Sequence, residues 1–143
     1  MNHKGPFSTP QVGKILRMPM RKIISYTERG YVSPSLREAS GHGSSRRWAL
    51  WDLDKIHLIQ KCETLGVSVS RLRTLGRTLV PPFWPDVLMQ RKHPWLVMNE
   101  HGDMAPIELS LRDQVKRVGT PCLVINWRDL GAEVQEMIEK AVL

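Results

Sequence analysis

The run Pro81-Pro82-Phe83-Trp84-Pro85 constrains the fold of this chain more than any other stretch of its sequence. Proline inside a helix removes a backbone hydrogen bond and clashes with the preceding turn, so we expect no helix to cross this run. The charge changes at the same place: residues 1–80 hold 14 Lys and Arg against 5 Asp and Glu (net +9), whereas residues 81–143 hold 7 against 9 (net −2). The sequence therefore predicts a basic domain of residues 1–80, a proline-rich linker of residues 81–94 and a second domain of residues 95–143.

Size and composition limit the class of protein. The chain has 143 residues, of which 41% are hydrophobic. Domains of about 60 to 80 residues are only marginally stable alone, so we expect the two domains to stabilise each other or to oligomerise. The sequence has no run near the roughly 18 apolar residues of a membrane span, and residues 1–6 lead into no signal segment. We expect a cytoplasmic protein without a membrane partner, associated with the nucleoid if the cell is bacterial. Cys62 and Cys122 are expected to be reduced packing residues.

The start of the chain carries the signals of two short helices. Ser8 followed by Gln11 forms a capping box, and apolar residues then recur at helical spacing, which predicts a helix over about residues 9–17. Met18-Pro19 interrupts this helix, and a second helix over residues 20–29 ends at Gly30 with a left-handed cap. Two short helices joined by a turn of three or four residues form a helix-turn-helix.

A polar loop and two further helices complete the first domain. Residues 35–45 contain two glycines and four serines and keep no periodicity, so we expect a loop or a hairpin tip. Residues 46–51 again have large side chains, which indicates a short returning strand. Asp52 is then expected to cap a helix that ends near Gly66, and Ser68 to cap a shorter helix that the prolines stop.

The second domain has a mixed pattern. Residues 95–98 and 105–109 flank a polar, glycine-containing turn, which predicts a β-hairpin, and Pro106 makes its second strand an edge strand. The remaining predicted elements are a short helix (111–118), a buried strand (121–127) and a final helix (129–142). These elements make a small α+β domain.

Five stretches of the first domain follow each other in an order typical of one family. They are Phe7-Ser8-Thr9-Pro10-Gln11-Val12-Gly13-Lys14, Arg21-Lys22-Ile23-Ile24-Ser25-Tyr26-Thr27-Glu28-Arg29-Gly30, Arg46-x-Trp48, Asp52-Leu53-Asp54-Lys55-Ile56 and Leu65-Gly66-Val67-Ser68. In this order they resemble the winged-helix DNA-binding domain of the MerR family. The resemblance implies a mainly α winged helix-turn-helix domain, which the small α+β domain follows.

The resemblance implies DNA contacts from the second helix. A recognition helix presents its first turn to base edges and phosphates in the major groove, and Arg21 and Lys22 lie at that position. Ser25 and Tyr26 follow one turn later, and Tyr26 matches an aromatic position of the family. The Tyr26 ring can equally pack against the first helix while its hydroxyl meets a phosphate.

The predicted wing and the start of the first helix supply the other expected contacts. A hairpin wing places Arg37, Arg46 and Arg47 beside the DNA backbone or the minor groove. Trp48 matches a usual Tyr of the wing, and core packing and phosphate contact are equal alternatives for it. Ser8 resembles the family residue at a helix N-terminus that can meet a phosphate, although capping alone explains a serine there.

Three features depart from the family pattern. The second helix has Ile24-Ser25-Tyr26 where the family commonly has Arg-Tyr-Tyr, and Pro19 replaces the usual N-cap Ser, so no operator preference is transferred. Family members continue into a long antiparallel dimerisation coiled coil, which the proline run excludes here.

Dimerisation is therefore expected in residues 81–143. Trp84, Trp95 and Trp127 and an edge strand can pair there across a two-fold axis. The alternatives for the second domain are a sensor for a small ligand and a docking surface for another protein.

These features predict a sequence-specific double-stranded DNA-binding transcriptional regulator that acts as a homodimer on an inverted-repeat operator, with RNA polymerase as a further partner. A recombination directionality factor of the excisionase kind, or a phage DNA-packaging factor, is the alternative that uses a similar winged helix. Catalysis, a cofactor and a metal site are not expected. His57, a surface or half-buried helix residue, and His93 and His101 form no catalytic or metal-binding constellation.

Overall fold

The structure is a computed structural model that describes residues 5–36, 46–80 and 92–141. Within these ranges the fold is mostly helical with one small antiparallel sheet, an α+β arrangement. The elements in chain order are α1 (Thr9–Leu16), α2 (Met20–Glu28), α3 (Leu50–Thr64), α4 (Val69–Thr78), β1 (Trp95–Asn99), α5 (Leu111–Val118), β2 (Cys122–Asn126) and α6 (Trp127–Lys140). Arg37, Trp84 and most of the predicted linker lie outside the described residues.

Helices α1 and α2 follow their sequence signals closely. The Ser8 hydroxyl accepts the Gln11 N–H at 3.3 Å and the Gln11 side chain accepts the Ser8 N–H at 2.9 Å, so the predicted capping box is confirmed. Gly13 allows the turn into α2 to pass close to α1, because a Cβ there would lie 2.8 Å from the Met18 carbonyl oxygen. Gly30 has φ +78° after α2, as a left-handed cap requires.

The predicted returning strand over residues 46–51 is reduced to two bridge residues, Arg47 and Trp48. Trp48 and Phe7 form an isolated antiparallel bridge with two backbone hydrogen bonds of 2.8 Å, and α3 already begins at Leu50. The apolar bulk of this stretch is used in core packing and in the first turn of the helix. It therefore does not extend a strand.

Asp52 ties the loop after α2 to the start of α3. It lies inside the helix and not at the predicted N-cap, which is Ala49. One oxygen of Asp52 accepts the Ala49 N–H at 2.8 Å and also the N–H and the hydroxyl of Ser35, at 2.9 and 2.8 Å. Asp52 thus joins Ser35 to Ala49.

Helix α3 is the centre of the core and is buried around its whole circumference. Its buried residues are Asp52, Leu53, Asp54, Lys55, Ile56, His57, Leu58, Ile59 and Cys62. The Lys55 ammonium donates to the Gly76 carbonyl at 2.8 Å and so ties α3 to α4. Burial, partly offset by Asp52, lowers the pKa of Lys55 to about 8.

The two strands of the second half pair with each other, which corrects the predicted hairpin. β1 and β2 run antiparallel with Val97 opposite Val124. Residues 105–109 form no strand. The Ala105 N–H reaches the Val97 carbonyl at 3.1 Å, but Pro106 has no N–H to continue the ladder and the chain turns.

The predicted strand over residues 121–127 is confirmed as β2, but its environment is different from the one expected. Val124 at its centre is 41% exposed. Among the described residues β2 pairs with β1 alone, so β2 is an edge strand and not a buried one.

Helix α6 packs the second half against the first. It contacts α3 and α1, and Val134 and Ile138 belong to the same hydrophobic core as residues of α1 to α4. Beside this core, Glu133 Oε2 lies 2.8 Å from His57 Nε2 and 3.3 Å from Lys61 Nζ. The hydrogen bond with His57 and the contacts with Lys61 hold the pKa of Glu133 below its usual range. The two halves therefore stabilise each other.

Ile138→Ala is expected to destabilise both halves together, because Ile138 is buried in the shared core. Truncating a buried isoleucine costs roughly 2–5 kcal/mol. Urea unfolding followed by residue-resolved NMR should show the amides of α1 and α6 disappearing in one transition at a lower urea concentration. Glu139→Ala, at an exposed neighbour, is the control and should change the free energy of unfolding by less than about 0.5 kcal/mol. Independent domains would instead leave α1 to α4 at the wild-type midpoint.

Candidate nucleic-acid interface

Helix α2, the predicted recognition helix, is held against α3 by a small polar cluster. Tyr26 is 1% exposed, and its hydroxyl donates to Glu63 Oε1 at 2.9 Å. The same oxygen lies 3.2 Å from Lys22 Nζ, which is 6.0 Å from the centroid of the Tyr26 ring. The Tyr26 ring also packs against Tyr31, with centroids 5.6 Å apart. These contacts fix the rotation of α2 on the protein.

Burial and pairing set the charge state of this cluster. Burial and the hydrogen bond to Glu63 raise the pKa of Tyr26 above its ordinary value, so its hydroxyl remains a donor. Burial opposes the ionisation of Glu63, but Tyr26 and Lys22 outweigh it and the pKa of Glu63 lies below its usual range. A carboxylate with a lowered pKa stabilises the fold above its ordinary pKa, and this stabilisation is lost as the pH falls. The cluster is thus fully formed at neutral pH.

Two of the four residues predicted on α2 therefore help to position the helix. Tyr26 is a positioning residue and not a phosphate contact, because its hydroxyl is buried against Glu63. Lys22 also pairs with Glu63, although its side chain is 41% exposed. The other two differ: Arg21 is exposed in the first turn of α2, and Ser25 is half-buried one turn later.

Further cations lie close to the C-terminal end of α2. Arg29 follows the helix and is exposed, and its carbonyl accepts the Nε–H of exposed Arg73 at 3.2 Å. Helix α4 approaches this turn so closely that a Cβ on Gly76 would lie 2.4 Å from the Tyr31 carbonyl oxygen. The side chain of Arg73 therefore joins the surface around α2.

Arg17, which sequence analysis did not select, is singled out by its backbone. It has φ 55° and ψ 48°, and it is the one non-glycine residue with positive φ in the described part of the chain. This left-handed conformation costs roughly 1–2 kcal/mol for a residue with a Cβ, and glycine or asparagine is its usual occupant. Arg17 is exposed and lies just before α2. In the sequence, the end of α1 is followed by an arginine and not by the glycine or asparagine that usually marks a left-handed residue.

A cleft of about 400 Å³ between α1 and α6 extends the basic surface. Lys14, Arg17 and Lys140 line it together with apolar residues. Lys140 also forms a 2.7 Å ion pair with Glu136 on α6. The second half of the chain, although acidic overall, thus contributes a cation beside α1.

The residues predicted in the wing and at the start of α1 are half-buried or buried where the structure describes them. Arg46 and Arg47 are half-buried where the chain returns from the loop. Trp48 is fully buried, and its indole N–H donates to the Thr9 hydroxyl at 3.0 Å, so it packs in the core and does not contact a phosphate. Ser8 is half-buried and uses its hydroxyl in the cap of α1. Arg37 lies outside the described residues.

The structure also gives the positions of Trp127, His57 and the two cysteines. Trp127, expected at a dimer interface, is 2% exposed within the monomer. His57 is buried and bonded to Glu133, deeper than the sequence indicated. Cys62 and Cys122 are free thiols, and burial raises the pKa of Cys62 to about 11.

The described residues hold neither a metal-binding group nor a membrane-spanning helix. In residues 5–36, 46–80 and 92–141, no three His, Cys, Asp or Glu side chains are grouped so that they can hold a metal ion. None of the helices in these ranges is both long enough and apolar enough to cross a membrane.

Comparison with known proteins leaves the family open. The sequence matches no protein-family model and no curated protein. The resemblance to MerR proteins therefore stays a prediction, which rests on the five sequence stretches.

Arg17→Gly is expected to stabilise the protein by about 1 kcal/mol, because glycine adopts a positive φ without the Cβ clash. Urea unfolding at neutral pH measures the change. Arg17→Ala is the matched control: it removes the same charge, keeps the Cβ and should give no comparable gain. Equal stabilities of the two variants would show that the charge, and not the backbone, destabilises this position.

Proposed function

We propose that the protein is a sequence-specific double-stranded DNA-binding transcriptional regulator that acts as a homodimer on an inverted-repeat operator. Helix α2 is the proposed recognition helix. The observation that carries the proposal is an exposed Arg21 in the first turn of a helix whose rotation is fixed by the Tyr26–Glu63 contact. Preorganised side chains lose less conformational entropy when they bind.

The proposed mechanism assigns base recognition to the first turn of α2. The major groove of B-DNA admits one helix, and an arginine guanidinium pairs with two acceptors of guanine at once. Arg21 is the residue placed to do so, and Ser25 lies on the next turn of the same helix. Lys22 combines a phosphate contact with its ion pair to Glu63.

The cations around α2 are assigned to phosphates. Arg17 precedes the helix, Arg29 follows it and Arg73 joins it from α4. Arg46 and Arg47 follow the stretch that the resemblance assigns to the wing. Contacts of this kind position a protein on the duplex and make its affinity fall steeply with salt.

One edge of β2 has no strand partner among the described residues, and this edge supports the homodimer. The five residues of β2 carry no charge, and exposed Val124 lies at the centre of the strand. A shallow groove beside β2 is lined by Val124 and by Leu65, which is 74% exposed. An uncharged edge strand is a template for pairing. Two β2 strands that pair antiparallel about Val124 set Leu123 opposite Ile125 of a second copy, which satisfies two-fold symmetry.

Arg21→Ala is expected to weaken binding to the preferred operator by about 1–3 kcal/mol and to change non-specific binding little, because it removes a base contact. Arg46→Ala should weaken both kinds of binding and lower the slope of log affinity against log salt by about one, because it removes a phosphate contact. Fluorescence anisotropy with an operator selected from random duplexes, and with a scrambled duplex, measures both effects.

Lys116→Ala on α5 is the control for this experiment, because Lys116 is exposed on a helix that packs against β1. Equal losses on both duplexes for Arg21→Ala would mean that Arg21 contacts phosphates only. Absence of affinity for any duplex at low salt would refute DNA binding. A footprint of several direct repeats at an attachment or packaging site, in place of one symmetric promoter site, would favour a recombination or packaging factor.

Val124→Lys is expected to convert the dimer to a monomer, because it places two like charges at the centre of the paired strands. Sedimentation equilibrium of the full chain measures this, with Glu139→Lys as a control that adds a lysine at an exposed position of α6. The variant should still bind a single half-site. A wild-type chain that stays monomeric at high concentration, or a dimeric Val124→Lys variant, would exclude this interface.

A further inference from the structure

A cavity of about 320 Å³ lies between the start of α3 and the start of α6. Its lining is Leu50, Asp54, Trp127, Arg128, Gly131, Ala132 and Gln135. Most of this wall is apolar or aromatic, and Gly131 leaves open space because a Cβ there would meet no atom within 4 Å. The volume is at the lower end of the roughly 300–1,000 Å³ range of pockets that hold small molecules. The cavity is separate from the surface around α2.

Asp54 is the unusual member of this wall. It is 6% exposed, and its Oδ1 has no hydrogen-bond partner among the residues that the structure describes. A buried carboxyl oxygen without a donor loses the hydrogen bonds it had in water and gains none. Burial, together with the nearby charge of Asp52, raises the pKa of Asp54 to about 7. An asparagine or a leucine at this position would avoid the cost of burying an acid.

The neighbouring charges do not supply the missing donor. Asp52 uses one oxygen for Ser35 and Ala49 and is itself an acid. Lys55, the next residue after Asp54, donates to the Gly76 carbonyl. Arg128 is exposed at the rim, where its guanidinium donates to the Lys92 carbonyl at 3.1 Å. The donor that Asp54 lacks is therefore best supplied from within the cavity.

We propose that this cavity is a binding site for a small organic ammonium ion, whose charged N–H group bonds Asp54 and whose apolar body packs against Trp127 and Leu50. A cationic donor compensates the buried carboxylate, which a neutral donor does only in part. The apolar lining favours a ligand with an aliphatic or aromatic body. The small volume excludes a nucleotide-sized ligand. The site does not depend on DNA binding, and it acts as a ligand-sensing site within the folded chain.

The test uses benzylammonium chloride and benzyl alcohol, two probes of nearly equal shape that differ in charge. Isothermal titration of the full chain, without DNA, should show benzylammonium binding at least about tenfold more tightly, as a charge-assisted hydrogen bond requires. Asp54→Asn should bring the two affinities within about twofold of each other. Glu139→Gln, which removes an exposed acid on α6, should leave the difference unchanged.

Gly131→Leu provides a second and independent variant. Its side chain enters open space, so the protein should fold and binding of both probes should be lost. Asp54→Asn should also raise the melting temperature of the free protein, because it removes a buried acid without a partner. Three results would each overturn the proposal: no benzylammonium binding at tens of millimolar, equal affinity of the wild type for both probes, or an unchanged difference in Asp54→Asn.

Discussion

Helix α3 carries four polar side chains that each bond a different neighbour, and the remaining elements take their positions from these bonds and from the apolar core around them. Each bond joins groups far apart in the sequence. The four contacts are Asp52 with Ser35, Lys55 with the Gly76 carbonyl, His57 with Glu133, and Glu63 with Tyr26. Apolar burial supplies most of the stability, whereas buried polar contacts of good geometry select one arrangement among several similar ones.

This arrangement also explains why the first half presents so basic a surface. Its net charge is +9 over residues 1–80. Two of its acids, Asp52 and Asp54, are buried in α3, and Glu63 is paired with Lys22 behind α2. Burial raises the pKa of Asp54 to about 7, so this acid is only partly ionised at neutral pH and offsets less positive charge than its formal count indicates.

Much of the first half was predictable because its signals are local. A helix cap or a helical spacing of apolar residues depends only on neighbours a few residues away. The structure contains the predicted caps at Ser8, Gly30 and Ser68 and the predicted helical spacing. The prediction of a β-hairpin was wrong because strand pairing depends on residues that lie far apart in the sequence. β1 had two candidate partners in the sequence, and only the ladder that avoids Pro106 continues over five residues.

The candidate site was predictable in position but not in the role of each residue. Sequence analysis placed Arg21 and Tyr26 on one helix, and the structure agrees. It did not distinguish an exposed arginine from a tyrosine held by Glu63, which is 37 residues away. Trp48 was ambiguous for the same reason, since Thr9, its partner, is 39 residues distant. Arg17 was missed because its backbone conformation depends on how α1 meets α2.

We propose that the surface around α2 binds duplex DNA. Its most direct test is an NMR titration of the ¹⁵N-labelled full chain with a short duplex at low and at moderate salt. We expect the largest amide shifts at Arg17, Arg21 and Ser25, smaller ones at Arg46 and Arg47, and little change on α5. Shifts confined to α5 and the β2 edge, or no shifts at either salt concentration, would contradict it.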